Sequence, residues 1–544
     1  MKRITVNGEK RAFDNVETLL DIAKQTPGMW LGAICDQKIQ SLRYPIDDVD
    51  EVTLLSYDSP QGEKIYVHSL TMLLICAIKE LFPDGDVLVD HSLGNGIYCE
   101  VQGLGYISID DYRKIDMHMR KLIEEDHPFE CMRVGKQEAA AYFREVRQFS
   151  TADAIEQSAR KTFTLYQCGE VKELAFYALV PSTGYIREFG LHLAMPGIIL
   201  HYSMQPGELS YDYTMHARRS ETFLETEKRM AGLECFYVSQ LNRKIEQEEV
   251  FELVRVSEIW HEKQLGSLAD IISSDPHRQL IFVAGPSSSG KTTSSNRLIS
   301  HLYANGKHPV LISMDNYYRD RDEMPLDENG EKDFENITAL DLDVFDSNLN
   351  ALLQQQEVEL PVFNFLTGSR DKDGIRMRVP SGEPIIIEGI HALNPQLASS
   401  IANHYKFKVY VAPLVTLNWD IHNRVESSFV RLLRRMVRDY HTRGSSASNT
   451  LDMWDAVLQG EKKFILPYQE TADFTFNTAL LYELSVLKRH ALPILMDAED
   501  RHASTVNEIL YLLDFVTDGG EIIESHIPPT SILREFIGNN VYYL

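Results

Sequence analysis

Apolar positions change their period along this chain, and the changes mark out its parts. Residues 1–60 carry short alternating runs. Arg3-Ile-Thr-Val-Asn-Gly-Glu reads as strand plus turn, Gly32-Ala-Ile-Cys-Asp-Gln-Lys as a strand and Glu51-Val-Thr-Leu-Leu-Ser-Tyr57 as another, with a short helix from Val16 to Lys24. Short strands around one helix predict a β-grasp module, with Ser59-Pro60-Gln-Gly62 as a linker. Residues 61–225 open on an apolar helix, Ser69 to Leu81, ended by Pro83-Asp-Gly85. Strand-like pieces follow at Gly96-Ile-Tyr-Cys-Glu-Val101 and Gly105-Tyr-Ile-Ser-Ile109, then a polar helix from Asp110 to Glu125, which together predict an α+β domain. The charged helical stretch from Thr222 to Leu265 predicts a spacer over 226–265.

Residues 266–544 alternate strand and helix. Apolar runs at Gln279–Ala284, His308–Asp315, Pro384–Glu388, Lys406–Ala412 and Pro493–Asp497 are the strand candidates. Such alternation predicts a parallel sheet covered by helices on both faces, with ligands at the strand C-terminal ends. Ser531-Ile-Leu-Arg-Glu-Phe-Ile537-Gly is apolar enough to dock on another part of the chain. The fold class is multidomain α/β.

Composition narrows the picture. The 544 residues are 44% hydrophobic and 25% charged, as in a soluble globular protein with ample core. No apolar run reaches the roughly 18 residues a membrane span needs. Met1-Lys-Arg-Ile-Thr-Val-Asn-Gly lacks an apolar signal core, so a cytoplasmic protein is expected. Cys35, Cys76, Cys99, Cys131, Cys168 and Cys235 form no close pair and read as reduced. A net charge of −26 argues against broad nucleic-acid binding, though it leaves room for a local basic site.

The candidate chemistry starts at Gly285-Pro-Ser-Ser-Ser-Gly290-Lys291-Thr292, which fits G-x-x-x-x-G-K-[ST] between a strand and a helix. Gly285, Ser287, Ser288, Ser289, Gly290, Lys291, Thr292 and Thr293 would wrap the phosphates of ATP, with Lys291 at the β/γ-phosphates and the Thr292 hydroxyl on Mg²⁺. Asp315 ends the second strand, where a carboxylate either accepts a proton from a substrate hydroxyl or caps a turn. Glu388 ends the third, as metal support or as a solvated strand end. Arg431, Arg434, Arg435 and Arg438 recur at helical spacing with Arg443 beyond them. They read either as a solvated helix face or as a mobile cationic lid over a transferring phosphoryl group.

Blocks in one order along the chain resemble the uridine kinase and phosphoribulokinase family of P-loop kinases, most of all the uridine-cytidine kinases. They are Gly285–Thr293, Met314-Asp-Asn-Tyr-Tyr-Arg-Asp320, Asp333-Phe-Glu-Asn336, Pro361-Val-Phe-Asn-Phe-Leu-Thr-Gly-Ser-Arg370, Ile387-Glu-Gly-Ile390 and Arg431 to Gly444. The resemblance implies that Asp315 activates a sugar 5′-hydroxyl and that Tyr318 lines the sugar site. Glu335 stands where the family has an Asp on the ribose hydroxyls. Arg431 and Asn449 fall near base-reading positions, and Arg434 and Arg438 fall in a phosphate-facing lid. The family's Tyr-Asp-Phe-x-x-His-Ser-Arg segment, which supplies acceptor-site residues, is here Phe363-Asn-Phe-Leu-Thr-Gly368-Ser-Arg370. Its base-reading histidine is Gly368, its tyrosine Phe363, and a glutamine of the base site is Asn449. Losing polar readers redirects selection, so kinase chemistry is implied and pyrimidine choice is left open.

Residues 1–225 resemble the N-terminal region of threonyl-tRNA synthetases, a TGS-type β-grasp module followed by an editing-type domain. Val67-His68-Ser-Leu-Thr-Met72-Leu-Leu, Leu81-Phe-Pro-Asp and Asn95-Gly96-Ile-Tyr98-Cys-Glu-Val101 carry the likeness. That family's His/Cys constellation is broken here, with Met72 at its second position and Lys172 at its last, so no zinc is expected. The expectation is an ATP- and Mg²⁺-dependent kinase phosphorylating a nucleoside, with another small alcohol as the alternative acceptor. A nucleotide-gated RNA- or ribosome-binding protein, touching RNA through the N-terminal half, is the non-enzyme alternative. Oligomeric state is open.

Overall fold

The computed structural model describes residues 2–542 apart from 48, 106, 206, 213–216, 327–329, 331, 334, 365 and 366, so Tyr106, Phe334, Phe365 and Leu366 of the sequence blocks lie outside the described residues. Lys2–Val6 sits between Glu9–Phe13 and Glu51–Ser56, parallel to the latter, and Trp30–Cys35 and Lys38–Ser41 complete the sheet. One helix, Leu19–Gln25, covers it through Leu19 and Ile22 against Ile4, Val6, Ala33 and Val52. This is the β-grasp order.

The expected linker is a helix start. Ser59 caps helix Pro60–Leu81, its hydroxyl accepting the Gly62 N–H at 3.0 Å, and Pro60 occupies the first turn, where a missing N–H costs nothing. Ile107-Ser-Ile109, expected to end a strand, is not extended into one either. Gly103 and Gly105 take φ of +85° and +73°, which breaks an extended run, and Ser108 then caps helix Ile109–Glu124 by accepting the Asp111 N–H. Around these helices lie a four-stranded sheet, built of Asp86–Leu93, Gly96–Gln102, Gly197–Tyr202 and Phe189–Ala194, and a three-stranded one of Glu130–Gly135, Thr162–Cys168 and Val171–Leu174.

The stretch read as a spacer is packed core. Helix Val250–Ser273 buries Leu253, Val254 and Leu265 in the same cluster as Leu298 and Leu302 of the helix Lys291–Ala304. Its polar face is engaged too: Glu262 accepts from buried Arg297 at 2.7 Å, and Glu258 from the Tyr482 hydroxyl at 2.7 Å.

The C-terminal sheet runs Val310–Ser313, Ile385–Glu388, Leu280–Ala284, Lys406–Ala412, Phe474–Asn477, every neighbour parallel. Alternate residues of its central strand face two separate cores, Ile281 and Val283 one, Leu280, Phe282 and Ala284 the other, as a sheet covered on both sides requires. The fifth strand is Phe474–Asn477. Pro493–Asp497, expected as a strand, ends instead a helix, Glu483–Met496, whose Leu484, Leu487, Ala491, Ile494 and Leu495 are buried at spacings of three and four. A short apolar run does not by itself distinguish strand from helix end.

The two halves are stitched together. Asn418 donates through Nδ2 to the Val89 carbonyl at 3.2 Å, Val89 N–H donates to Ile421 O at 3.0 Å, and Trp419 stacks on Phe176. Buried His422 bridges Asp86 and Glu173, both at 2.7 Å. Burial alone would lower its imidazole, but the two carboxylates more than offset that and hold it up to about 10.

Candidate active site

The loop after strand Leu280–Ala284 needs its glycines. A Cβ on Gly285 would lie 1.9 Å from the Val411 carbonyl oxygen, and Gly290 has φ of +87°. Thr478 supports the loop by donating to Ser289 O at 2.7 Å. The hydroxyls of buried Ser288 and Ser289 have no protein partner, and Lys291 folds back to donate to Pro286 O at 3.2 Å. These are groups in want of an anion.

Thr292 Oγ1 donates to Glu388 Oε2 at 3.0 Å. Glu388 is buried, and burial with the nearby Asp315 charge pushes its carboxyl up to about 7 although Lys291 pulls it down. A hydroxyl and a carboxylate of hard oxygens beside the phosphate loop suit Mg²⁺, which takes few protein ligands and completes its shell with phosphate and water. Among the described residues no group of three His, Cys, Asp or Glu side chains is placed to hold a metal by itself.

Asp315 follows strand Val310–Ser313 in the turn Met314–Tyr317. Its side chain is exposed. Crowding by the flanking protein raises its pKa, while Lys291, Arg443 and Arg438 pull the other way. Glu335, whose side chain rests on Gly460 of helix Ala447–Phe464, is pushed up to about 7 by burial, against Arg435 and Lys291. The Lys291 charge acts on Asp315, Glu335 and Glu388 alike.

The arginine helix, Ser427–Arg443, is not a mobile lid. Phe429, Val430, Leu432, Leu433, Met436 and Val437 bury it in the core. Arg434 is 0% exposed and bonds Glu483 at 2.7 Å, Thr478 O at 2.8 Å and Ser288 O at 3.4 Å, so it braces the loop from behind. Arg431 is likewise buried, paired with Glu461 and stacked near Trp454. Arg435 donates to Ser287 Oγ at 2.8 Å, and the Arg443 and Arg438 charges act on Asp315. Asp439, 1% exposed, gathers all three at 3.4, 2.8 and 3.5 Å.

The acceptor side keeps some expected residues and parts from others. Tyr318 and Phe363 pack ring to ring at 5.7 Å beside Asp315. Arg370 is spent on the fold, donating to Tyr317 O and Tyr318 O at 2.9 Å and to Asp341. Asn449 lies exposed on the first turn of its helix, its N–H on the cap Ser446. A Cβ on Gly368 would fall 2.2 Å from Arg321 Cδ, so Arg321 fills the space a side chain at 368 would use.

Sequence reasoning missed Glu535, which accepts from Thr293 Oγ1 at 2.7 Å. Only a docking tail was legible at Ser531–Ile537.

Residues 280–481 match the profile of the Phosphoribulokinase / Uridine kinase family. This part of the chain is a domain of that family. The kinase domain so defined holds the loop, Asp315, Glu388 and the arginine helix. The N-terminal region is similar to threonine–tRNA ligases: 31% identical over 190 residues to that of Teredinibacter turnerae, covering 34% of this chain and 30% of the ligase. The ligase of Fusobacterium nucleatum is 31% identical over 165 residues, 30% of this chain and 26% of its own length. The chain thus spans less than a third of the length of these relatives. Among solved structures, a possible uridine kinase from Bacillus stearothermophilus overlays 40% of this chain and 98% of its own at 18% identity and TM-score 0.27. The D-glycerate 3-kinase of Cryptococcus neoformans overlays 35% of this chain and 78% of its own at 14% identity and TM-score 0.26. Overlays this loose carry no weight for the acceptor. In the N-terminal half, His68 stacks on Tyr177 at 4.0 Å and burial pushes it down to about 3, while Met72 sits in the core. Among the described residues no helix is long and apolar enough to cross a membrane.

Proposed function

We propose that the chain transfers the γ-phosphoryl of ATP to a hydroxyl of a small acceptor, a nucleoside 5′-hydroxyl being the first class to test. The observation that supports this is the phosphate loop, where the buried Ser288 and Ser289 hydroxyls lack protein partners and Thr292 meets Glu388, with Asp315 just past strand Val310–Ser313 of the same sheet. A carboxylate there takes the acceptor proton, and its raised pKa makes it a better base than an ordinary aspartate. Lys291 holds the terminal phosphates, and Arg438 and Arg443 offset charge on the moving group. Mg²⁺, on Thr292 and Glu388, would supply neutralisation of the β/γ-phosphate charge. Tyr318 and Phe363 give the acceptor an apolar wall, and Glu335 can bind its hydroxyls.

A second acceptor class, a small non-nucleoside alcohol, is favoured by one observation: Arg321 fills the space over Gly368 where a base reader would sit. The N-terminal half would act as a regulatory or RNA-contacting module. An ATP-consumption screen over nucleosides and small polyols, with and without RNA, tests these readings. Turnover with one acceptor class, lost in Lys291→Ala, is expected. ATP binding without turnover on any acceptor, but with RNA retained only in the nucleotide-bound state, would replace the kinase by a nucleotide-gated binder.

A further inference from the structure

The last donors of the phosphate loop are already taken. Thr293 follows the Mg²⁺-side Thr292, and a P-loop turns the amides at its helix start toward the phosphates nearest the nucleoside. Here the Thr293 N–H and hydroxyl both donate to one carboxylate oxygen, Glu535 Oε2, at 3.3 and 2.7 Å. Asn540 Nδ2 donates to the same hydroxyl at 3.1 Å. The Glu535 charge is felt by Lys291, Glu388 and Arg443, so the carboxylate stands inside the site. Chemically, its oxygen stands in for one of an α-phosphate.

The backbone that presents it is anchored. Ile532, Leu533 and Phe536 are each 0% exposed. Ile532 lies so close to Gly290 that a Cβ there would come within 2.6 Å of it, and the Phe536 ring lies under the Arg434 guanidinium at 5.1 Å. Glu535 itself is only half-buried, so a rotation of its side chain, with no movement of the tail, frees the Thr293 donors. A phosphate and a carboxylate cannot share those donors, since two anions in contact repel.

We propose that Glu535 is a built-in competitor for the α-phosphate of a nucleoside di- or triphosphate. It fills that subsite in the empty protein, reduces nucleotide affinity by the fraction of molecules in which it is seated, and swings out when nucleotide binds. The proposal rests on the phosphate loop being the nucleotide site. Because linkage is reciprocal, anything that draws the 531–540 segment away from the loop raises nucleotide affinity to the same degree that nucleotide weakens the docking.

The test is titration of the full chain with ADP, read by calorimetry, for wild type, Glu535→Gln and Glu535→Asp, with melting temperatures to verify folding. Glutamine keeps the size and removes the charge; aspartate keeps the charge but shortens the reach to Thr293. Both are expected to bind ADP about tenfold more tightly than wild type, as removal of a mostly seated competitor requires. Equal or weaker ADP binding by folded Glu535→Gln and Glu535→Asp overturns the proposal and makes Glu535 part of the nucleotide-bound site. Binding by the variants alone, with none by wild type, supports it in its strongest form. If neither wild type nor variants bind, the nucleotide-site reading falls, and the competitor with it.

Discussion

Replacing Arg434 by methionine removes a guanidinium that is 0% exposed and leaves Glu483, itself 2% exposed, without its cation. Glu483 would still accept the Leu480 N–H at 3.0 Å, but Thr478 O would lose its 2.8 Å donor. Breaking a buried pair by removing one partner costs about 3–5 kcal/mol, because the remaining charge stays out of water. The double variant Arg434→Met/Glu483→Met removes both charges from the same pocket. Apolar side chains of similar volume are often neutral there, so it is expected to recover most of that loss. Denaturant titration of the full chain gives the stabilities, and ADP titration reports whether the loop is still formed. If Arg434 acted on phosphate instead, the single variant would fold normally and lose turnover, and the double would recover nothing. That pattern would refute the brace.

Asp315→Asn is expected to lower kcat by about 10²–10⁴ with ADP affinity nearly unchanged, measured by steady-state kinetics beside calorimetry; full kcat would place the base elsewhere. Since the Asp315 carboxyl is raised, the acid limb of the rate profile should lie above the ordinary carboxylate range, activity falling as pH drops through it. His422→Gln should weaken the joint between the halves by about 3 kcal/mol, since it leaves buried Glu173 without its cation, whereas Asp86 keeps Lys79 at 3.0 Å. The histidine pKa is raised, so its contribution is fully present below about 6.5. It is lost as pH rises through about 10, and a pH series of melts should show this slope in wild type and not in the variant. Purified protein is expected to carry no stoichiometric zinc; one zinc per chain by elemental analysis, lost in His68→Ala, would contradict this.

The phosphate loop, the parallel sheet and the positions of Asp315 and Glu388 were legible because each is fixed by local sequence: glycines at set spacing, apolar runs ending in a carboxylate. The arginine helix was legible as a cluster but not as a brace. Its burial depends on Glu483 and Thr478, which lie far along the chain, and helical spacing cannot say which arginines face a neighbour. The acceptor side was half legible, since Tyr318 and Glu335 stand near Asp315 while Arg370 and Asn449 do not. Glu535 had no signature at all, a lone glutamate in an apolar tail. The helix ending at Met496 was misread because five apolar residues around a proline satisfy either period.

The segment 415–426 ties chemistry to ancestry. It leaves the end of a kinase strand, passes Trp419 and His422 into the synthetase-like half and returns as the helix that backs the phosphate loop. Cutting the chain between the halves would therefore not release a working kinase fragment: it would strip a buried imidazolium of both counterions and open Trp419 to water, directly upstream of Arg431. The joint is expected to make the two halves unfold together, although their sequences resemble two different families. A graft of this C-terminal domain onto another partner would have to carry the strand-to-helix segment's receptor with it, or rewrite the segment.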